Sequence, residues 1–197
     1  MNFKEPSRPT PATSLPDSVS PQDQVSFGRC DGSFTLDADT PKGREAIRWA
    51  RKGSEAFLRA YPSLRLAETD QGEPADVDGI LYSIMQGCVI KGVVEIKTRY
   101  MSLDKLMGPY KGEWLITRNK LDRGIHLALG LRCPFVGLLV LPNSSVCLSK
   151  QITDKNGNWT CRFREEVTET SASVNGGKMT GLNAFIDMTD AKQFKIQ

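Results

Sequence analysis

The segment Val89–Thr98, VIKGVVEIKT, is the feature that most limits how this chain can fold. Its β-branched residues favour a strand, and the strand period of two places Val93, Glu95 and Lys97 on one face and Val94 on the other. A carboxylate in a strand that is otherwise apolar costs several kcal/mol unless it is paired or holds a cation. A fold that uses this strand must therefore supply Glu95 with a partner.

Two carboxylates that precede this strand are candidate partners. Asp76 and Asp78 lie at the start of a second apolar segment, and we expect that segment to form a strand from about Val77 to Ile84. If the two strands pair antiparallel through the turn at 85–88, Asp78 and Glu95 converge. Two carboxylates together with a backbone carbonyl are ligands that suit Mg²⁺ or Mn²⁺.

An ordinary ion pair on a solvated edge strand is the other explanation for Glu95 and Lys97. Such surface pairs are common and contribute little to stability. If a metal site is present, Lys97 has a chemical task, because an ammonium beside it can orient or help deprotonate an attacking water and stabilise charge on a phosphate. The pattern then predicts phosphodiester hydrolysis.

The remaining apolar patterns predict further helices and strands around these two strands. Thr40 is a good N-cap and Pro41 suits the first helical position. The predicted elements are a helix from Pro41 to Ala60, a short strand from Leu64 to Ala67, an amphipathic helix from Leu115 to Leu131, and a buried strand from Pro134 to Pro142. The order αβββαβ predicts an α/β fold with a small mixed sheet flanked by helices.

The C-terminal part of the chain has a turn pattern. The sequence Lys155, Asn156, Gly157 separates two strand-like segments, from Val146 to Thr153 and from Trp159 to Thr168, and is typical of a β-hairpin. We therefore expect a C-terminal β-hairpin extension beyond the α/β core.

Composition limits the remaining choices. Residues 1–24 carry five prolines among Ser, Thr and charged residues, which is typical of a flexible arm, and residues 25–197 are long enough for a single domain. Five cysteines without a CxxC spacing indicate neither a zinc site nor a disulfide framework, and we expect them to be small buried residues. No apolar stretch reaches the length of a membrane span, so we expect a cytoplasmic protein of a bacterial or phage-infected cell that does not bind membranes.

The two central strands carry a resemblance to a known family. ADVDGIL followed by VVEIKTR resembles the motif of the PD-(D/E)XK nuclease superfamily, in which an Asp on one strand and a Glu-x-Lys on the next form a metal site; Asp78, Glu95 and Lys97 match it. The first half departs from the family pattern, because Pro74 is not followed by Asp. Asp78 instead resembles the apolar-Asp-Gly-apolar variant of phage and recombination exonucleases and of RecB-like, helicase-linked nucleases. Asp76 stays open as an alternative ligand.

This resemblance implies a restriction-endonuclease-like core over residues 40–142 and a deoxyribonuclease that depends on Mg²⁺ or Mn²⁺. Family members often add an acidic residue from the first helix, and of the two candidates there, Glu45 and Glu55, we expect Glu45. Lys120 on the helix after the sheet strands is expected to contact phosphate. The expected nucleic-acid-binding residues are Lys120, Arg118, Asn119 and Arg99.

The expected partner is DNA, in recombination, repair or phage DNA metabolism, and the resemblance also allows a homo-oligomer, because many relatives dimerise to cut two strands. The formal charge of +3 does not by itself identify a nucleic-acid-binding protein. The choice between exonuclease and endonuclease stays open. Two other functions also stay open: a non-catalytic nucleic-acid-binding or interaction module on the same fold, and a nuclease used as a toxin or against competing DNA.

Overall fold

The described residues form a mixed α/β structure with mostly antiparallel strands and few helices. This computed structural model describes residues 40–70, 75–85, 87–169 and 180–197; the predicted arm at 1–24 and the segment 25–39 lie outside the described residues. The elements in chain order are α1 (Pro41–Ala60), β1 (Leu64–Glu68), β2 (Gly79–Ser83), β3 (Val89–Thr98), α2 (Leu103–Met107), β4 (Glu113–Thr117), α3 (Arg118–Gly130), β5 (Phe135–Leu141), β6 (Val146–Thr153), β7 (Phe163–Glu169), β8 (Thr180–Asp187) and β9 (Lys192–Lys195).

The larger sheet has six strands in the order β1-β2-β3-β5-β6-β9. Its pairs are antiparallel except β3 with β5, which run parallel, so the predicted mixed sheet is confirmed. The chain connects β3 to β5 through α2, β4 and α3, a crossover long enough for a parallel pair. Strand β3 therefore lies inside the sheet, with neighbours on both sides.

Helix α1 has the predicted bounds and covers one face of this sheet. Its apolar residues pack with Val94 and Val140, and a Cβ on Gly53 would lie 2.3 Å from Cγ2 of Val140. The hydroxyl of Thr98 donates a hydrogen bond of 2.9 Å to the carbonyl oxygen of Ala46. Because Val94 and Thr98 point away from Glu95 along the strand, α1 lies on the opposite face of β3 from that carboxylate.

The prediction of one helix from Leu115 to Leu131 is wrong at its N-terminal end. Residues up to Thr117 belong to β4, which joins β8 and β7 in a second, three-stranded antiparallel sheet. Trp114 and Ile116 are buried and pair with Ile186 and Ala184, respectively. Strand β8 comes from far along the chain, and its pairing outweighs the local helical pattern.

The predicted C-terminal hairpin is also corrected. The turn forms, since the amide of Gly157 donates to the carbonyl of Asp154 at 3.1 Å, but only Thr153 and Trp159 bridge across it. Strand β6 continues as part of the larger sheet, between β5 and β9, while β7 belongs to the second sheet. The C-terminal region is therefore part of the main structure, because β6 buries residues such as Leu148 in the core.

The cysteines follow the prediction only in part. Cys133 and Cys147 are buried and Cys161 is half-buried, but Cys88 is exposed in the turn between β2 and β3; Cys30 lies outside the described residues. No helix in the described ranges is long and apolar enough to cross a membrane.

Candidate active site

The antiparallel pairing of β2 with β3 places Asp78 beside Glu95. Gly79, the first residue of β2, pairs with Val94, and the amide of Asp78 donates to the carbonyl of Val94 at 3.1 Å. Strand β2 begins two residues later than predicted. At this point the Asp78 side chain replaces a main-chain acceptor, because its Oδ2 accepts a hydrogen bond of 2.6 Å from the amide of Ile96. This bond fixes Asp78 at the end of the strand pair.

Glu95 lies in an environment of low polarity. It is 4% exposed, and its partner in β5 is Gly137, over which the Trp114 ring packs so closely that a Cβ there would lie 2.2 Å from Cζ3. Burial raises the pKa of Glu95 from its ordinary value of 4.5 to about 8, and the neighbouring charge of Asp78 adds to this rise. In the described part of the chain, Oε2 of Glu95 is buried and has no hydrogen-bond partner.

The ammonium group of Lys120 lies between the two carboxylates. Its Nζ is 3.3 Å from Oε2 of Glu95 and 3.5 Å from Oδ1 of Asp78, and it donates to the carbonyl oxygen of Ala75 at 3.3 Å. The contact with Glu95 is an ion pair by distance but lacks the directions of a hydrogen bond. Lys120 lowers the pKa of Glu95 without cancelling the effect of burial.

The position of Lys120 follows from the close packing of α3 on the sheet. Leu121, Gly124 and Ala128 are the buried residues of this helix, and a Cβ on Gly124 would lie 2.4 Å from Cζ of Phe135 in β5. Lys120 is one turn before Gly124, so it projects from the same side of α3 toward the sheet. The spacing of Lys120 and Gly124 is the sequence signal that could have placed this lysine at the carboxylates.

Lys97 lies on the same face of β3 as Glu95, two residues further along the strand. Surrounding protein atoms lower its pKa, the neighbouring charge of Arg99 lowers it further, and Glu95 and Asp78 oppose the change. Because the residue is still exposed to solvent, this desolvation is only partial. Among the described residues, its ammonium group has no ion pair or hydrogen bond, whereas that of Lys120 has several.

Two of the predicted acidic ligands lie elsewhere. Asp76 is exposed, and its Oδ1 lies 3.1 Å from Nη1 of Arg123. Glu45 is exposed on α1 and pairs with Arg48 at 3.9 Å, on the helix that covers the opposite face of β3. The structure therefore brings Asp78 to Glu95 and Lys97, but neither Asp76 nor Glu45.

The predicted nucleic-acid-binding residues are also separated. Arg118 pairs with Asp122, with Nε 2.7 Å from Oδ1, and with Glu165 of β7, so its guanidinium is already bound to carboxylates. Asn119 is exposed on α3, and burial lowers the pKa of Arg99. Of the four residues, Lys120 alone contacts the carboxylate pair, and it does so in place of a phosphate.

The carboxylates meet only some requirements of a metal site. Among the described residues, no group of three or more His, Cys, Asp or Glu side chains could hold a metal ion. Mg²⁺, however, binds through one or two carboxylates and keeps several water molecules. The buried Oε2 of Glu95, which lacks a hydrogen-bond partner, and the ammonium ion already beside it indicate that this pair of carboxylates accepts a cation.

No family model, curated protein or solved structure matches the chain. The resemblance to PD-(D/E)XK nucleases therefore remains a prediction from the motif residues. The functional argument depends on the positions of Asp78, Glu95, Lys97 and Lys120.

Proposed function

We propose that this protein is a divalent-metal-dependent deoxyribonuclease of the PD-(D/E)XK kind, with a restriction-endonuclease-like core, which hydrolyses DNA phosphodiester bonds in recombination, repair or phage DNA metabolism. The observation that carries the proposal is the convergence of Asp78 and Glu95 on one cation, with Lys97 on the same face of β3. Hard oxygen ligands beside an ammonium group that lacks an ion-pair partner are the groups that phosphodiester hydrolysis needs.

The proposed roles follow from the environment of each side chain. Asp78 and Glu95 would hold Mg²⁺ or Mn²⁺, which when bound would neutralise charge on the phosphate and acidify a water molecule. Asp78 is kept in place by its hydrogen bond from Ile96, so it is preorganised for this task. Lys97 has no competing carboxylate within ion-pair distance among the described residues, so its ammonium group is available to orient the attacking water and to stabilise charge on the phosphate.

Purified protein should be assayed on linear, circular, single-stranded and branched DNA with Mg²⁺, with Mn²⁺ and with EDTA. We expect cleavage only with metal and its loss in Lys97→Ala and Asp78→Asn; Lys155→Ala, which removes an exposed lysine from the β6 turn, is the matched control. Sizing the products separates nicking from degradation at ends. Asp76→Asn decides between the two aspartates. Absence of cleavage on every substrate, or full activity in both site variants, would show that the proposal is wrong.

A non-catalytic nucleic-acid-binding module is the second candidate. The specific observation in its favour is that Lys120 already neutralises both carboxylates without a metal. This alternative predicts DNA binding that depends neither on metal nor on Glu95. Calorimetric titration of the wild-type protein and Glu95→Gln with Mn²⁺ separates the two candidates, because only the nuclease requires metal binding through Glu95.

A further inference from the structure

We infer that Lys120 is the counter-ion of the metal-free site, and that a divalent cation displaces it from Asp78 and Glu95. The inference rests on the proposed function, since it concerns how the proposed metal site fills. Its basis is geometric: Nζ of Lys120 lies within 3.5 Å of three oxygen atoms, which belong to Asp78, Glu95 and the carbonyl of Ala75. One ammonium ion thus lies among the oxygen atoms that a metal ion would need.

The two cations compete for the same ligands. Oδ2 of Asp78 is already occupied by the amide of Ile96, so Oδ1, the atom nearest Lys120, is the oxygen left for a metal. On Glu95, Oε2 is both the atom nearest Lys120 and the oxygen without a hydrogen bond. Two cations on the same pair of oxygens would repel each other strongly where water is scarce. Metal binding therefore requires Lys120 to leave.

Lys120 can leave because of its length and position. It is in the first turn of α3, its side chain is 29% exposed, and its four-carbon stem lets the ammonium group move toward solvent while the helix stays packed through Gly124. The displaced ammonium group would then face the solvent side of the site, where a DNA phosphate would approach. Metal and DNA would bind cooperatively, because the metal frees Lys120 to contact phosphate.

The first test measures Mn²⁺ affinity by calorimetry at pH 8 without DNA. Lys120→Met removes the competing charge and keeps the length of the side chain, so we expect it to bind Mn²⁺ roughly tenfold more tightly than the wild-type protein, a coupling of ordinary size. Arg123→Met is the matched control, because it removes one positive charge from the next turn of α3, at a residue that pairs with Asp76. We expect this control to change Mn²⁺ affinity by less than about threefold, as a screened surface charge would.

The second test needs no variant. Wild-type protein is treated with an amine-labelling reagent with and without Mg²⁺, and labelling of individual lysines is measured by mass spectrometry. We expect Mg²⁺ to increase the labelling of Lys120 several-fold and to leave that of exposed Lys155 unchanged.

The two tests distinguish failure of this inference from failure of the proposed function. If Mn²⁺ binds the wild-type protein and Lys120→Met equally, or if Mg²⁺ leaves Lys120 labelling unchanged while Mn²⁺ binding is measurable, displacement is wrong and the metal site stands. If neither protein binds Mn²⁺, both the metal site and the displacement are wrong.

Discussion

Glu95 should make the metal-free protein less stable as the pH rises. Its pKa is about 8 in the folded protein and close to 4.5 when the chain is unfolded, so the unfolded state loses its proton first. The cost of ionising buried Glu95 is absent below pH 4.5, grows between pH 4.5 and 8, and is fully present above pH 8. At about 1.4 kcal/mol per pH unit, this pKa difference corresponds to a loss of about 5 kcal/mol of folding stability from this residue.

Glu95→Gln should remove this cost. Gln has nearly the shape of a protonated Glu, so we expect the variant and the wild-type protein to have similar stability near pH 4.5. At pH 9 we expect the variant to be more stable by several kcal/mol, up to about 5 kcal/mol. The measurement is urea unfolding in EDTA at pH 5, 7 and 9, with the free energy of unfolding extrapolated to water.

Two further variants make this experiment specific. Glu45→Gln changes an exposed glutamate of α1 and should give a pH profile parallel to that of the wild-type protein. Asp78→Asn removes a charge that raises the pKa of Glu95, so it should reduce the loss of stability at high pH. If Glu95→Gln is less stable than the wild-type protein at pH 9, Glu95 and Lys120 form a net stabilising ion pair and the reasoning from burial is refuted.

Two expectations concern packing around the site. Gly137→Ala should destabilise the protein by about 2 kcal/mol or more, because its Cβ would lie 2.2 Å from Cζ3 of Trp114, whereas Gly130→Ala, with open space around it, should not destabilise it in the same urea titration. Thr98→Val should cost about 1 kcal/mol, because it removes the hydrogen bond to Ala46 that ties α1 to β3; unchanged stability would mean that this bond contributes nothing net.

Local patterns were sufficient for the elements that contain their own signals. The N-cap at Thr40 and the helical spacing after it predict α1 with its observed bounds, and the alternation of β3 puts Glu95 and Lys97 on one face, as observed. The turn after β2 predicts an antiparallel pair, which brings Asp78 to Glu95. These features depend on residues close together in the chain.

Long-range pairing decided the parts that the sequence predictions missed. Leu115 fits a helical pattern locally, but the chain forms β4 there, because β8, more than 60 residues later, supplies its hydrogen bonds and apolar contacts. The same second sheet takes β7 away from the predicted hairpin with β6. A local pattern cannot show which distant strand will compete for a segment.

The sequence by itself determined which charged groups lie on β3 and that Glu95 needs a cation. Only the tertiary structure decided which cation that is: α3 packs closely on β5 through Gly124, and this brings the ammonium group of Lys120 to Glu95 and Asp78. The packing of α1 on the other face of β3 likewise separates Glu45 from the site. The physical reason is that strand periodicity is a local property, whereas the partner of a buried charge depends on which helix covers that face of the sheet.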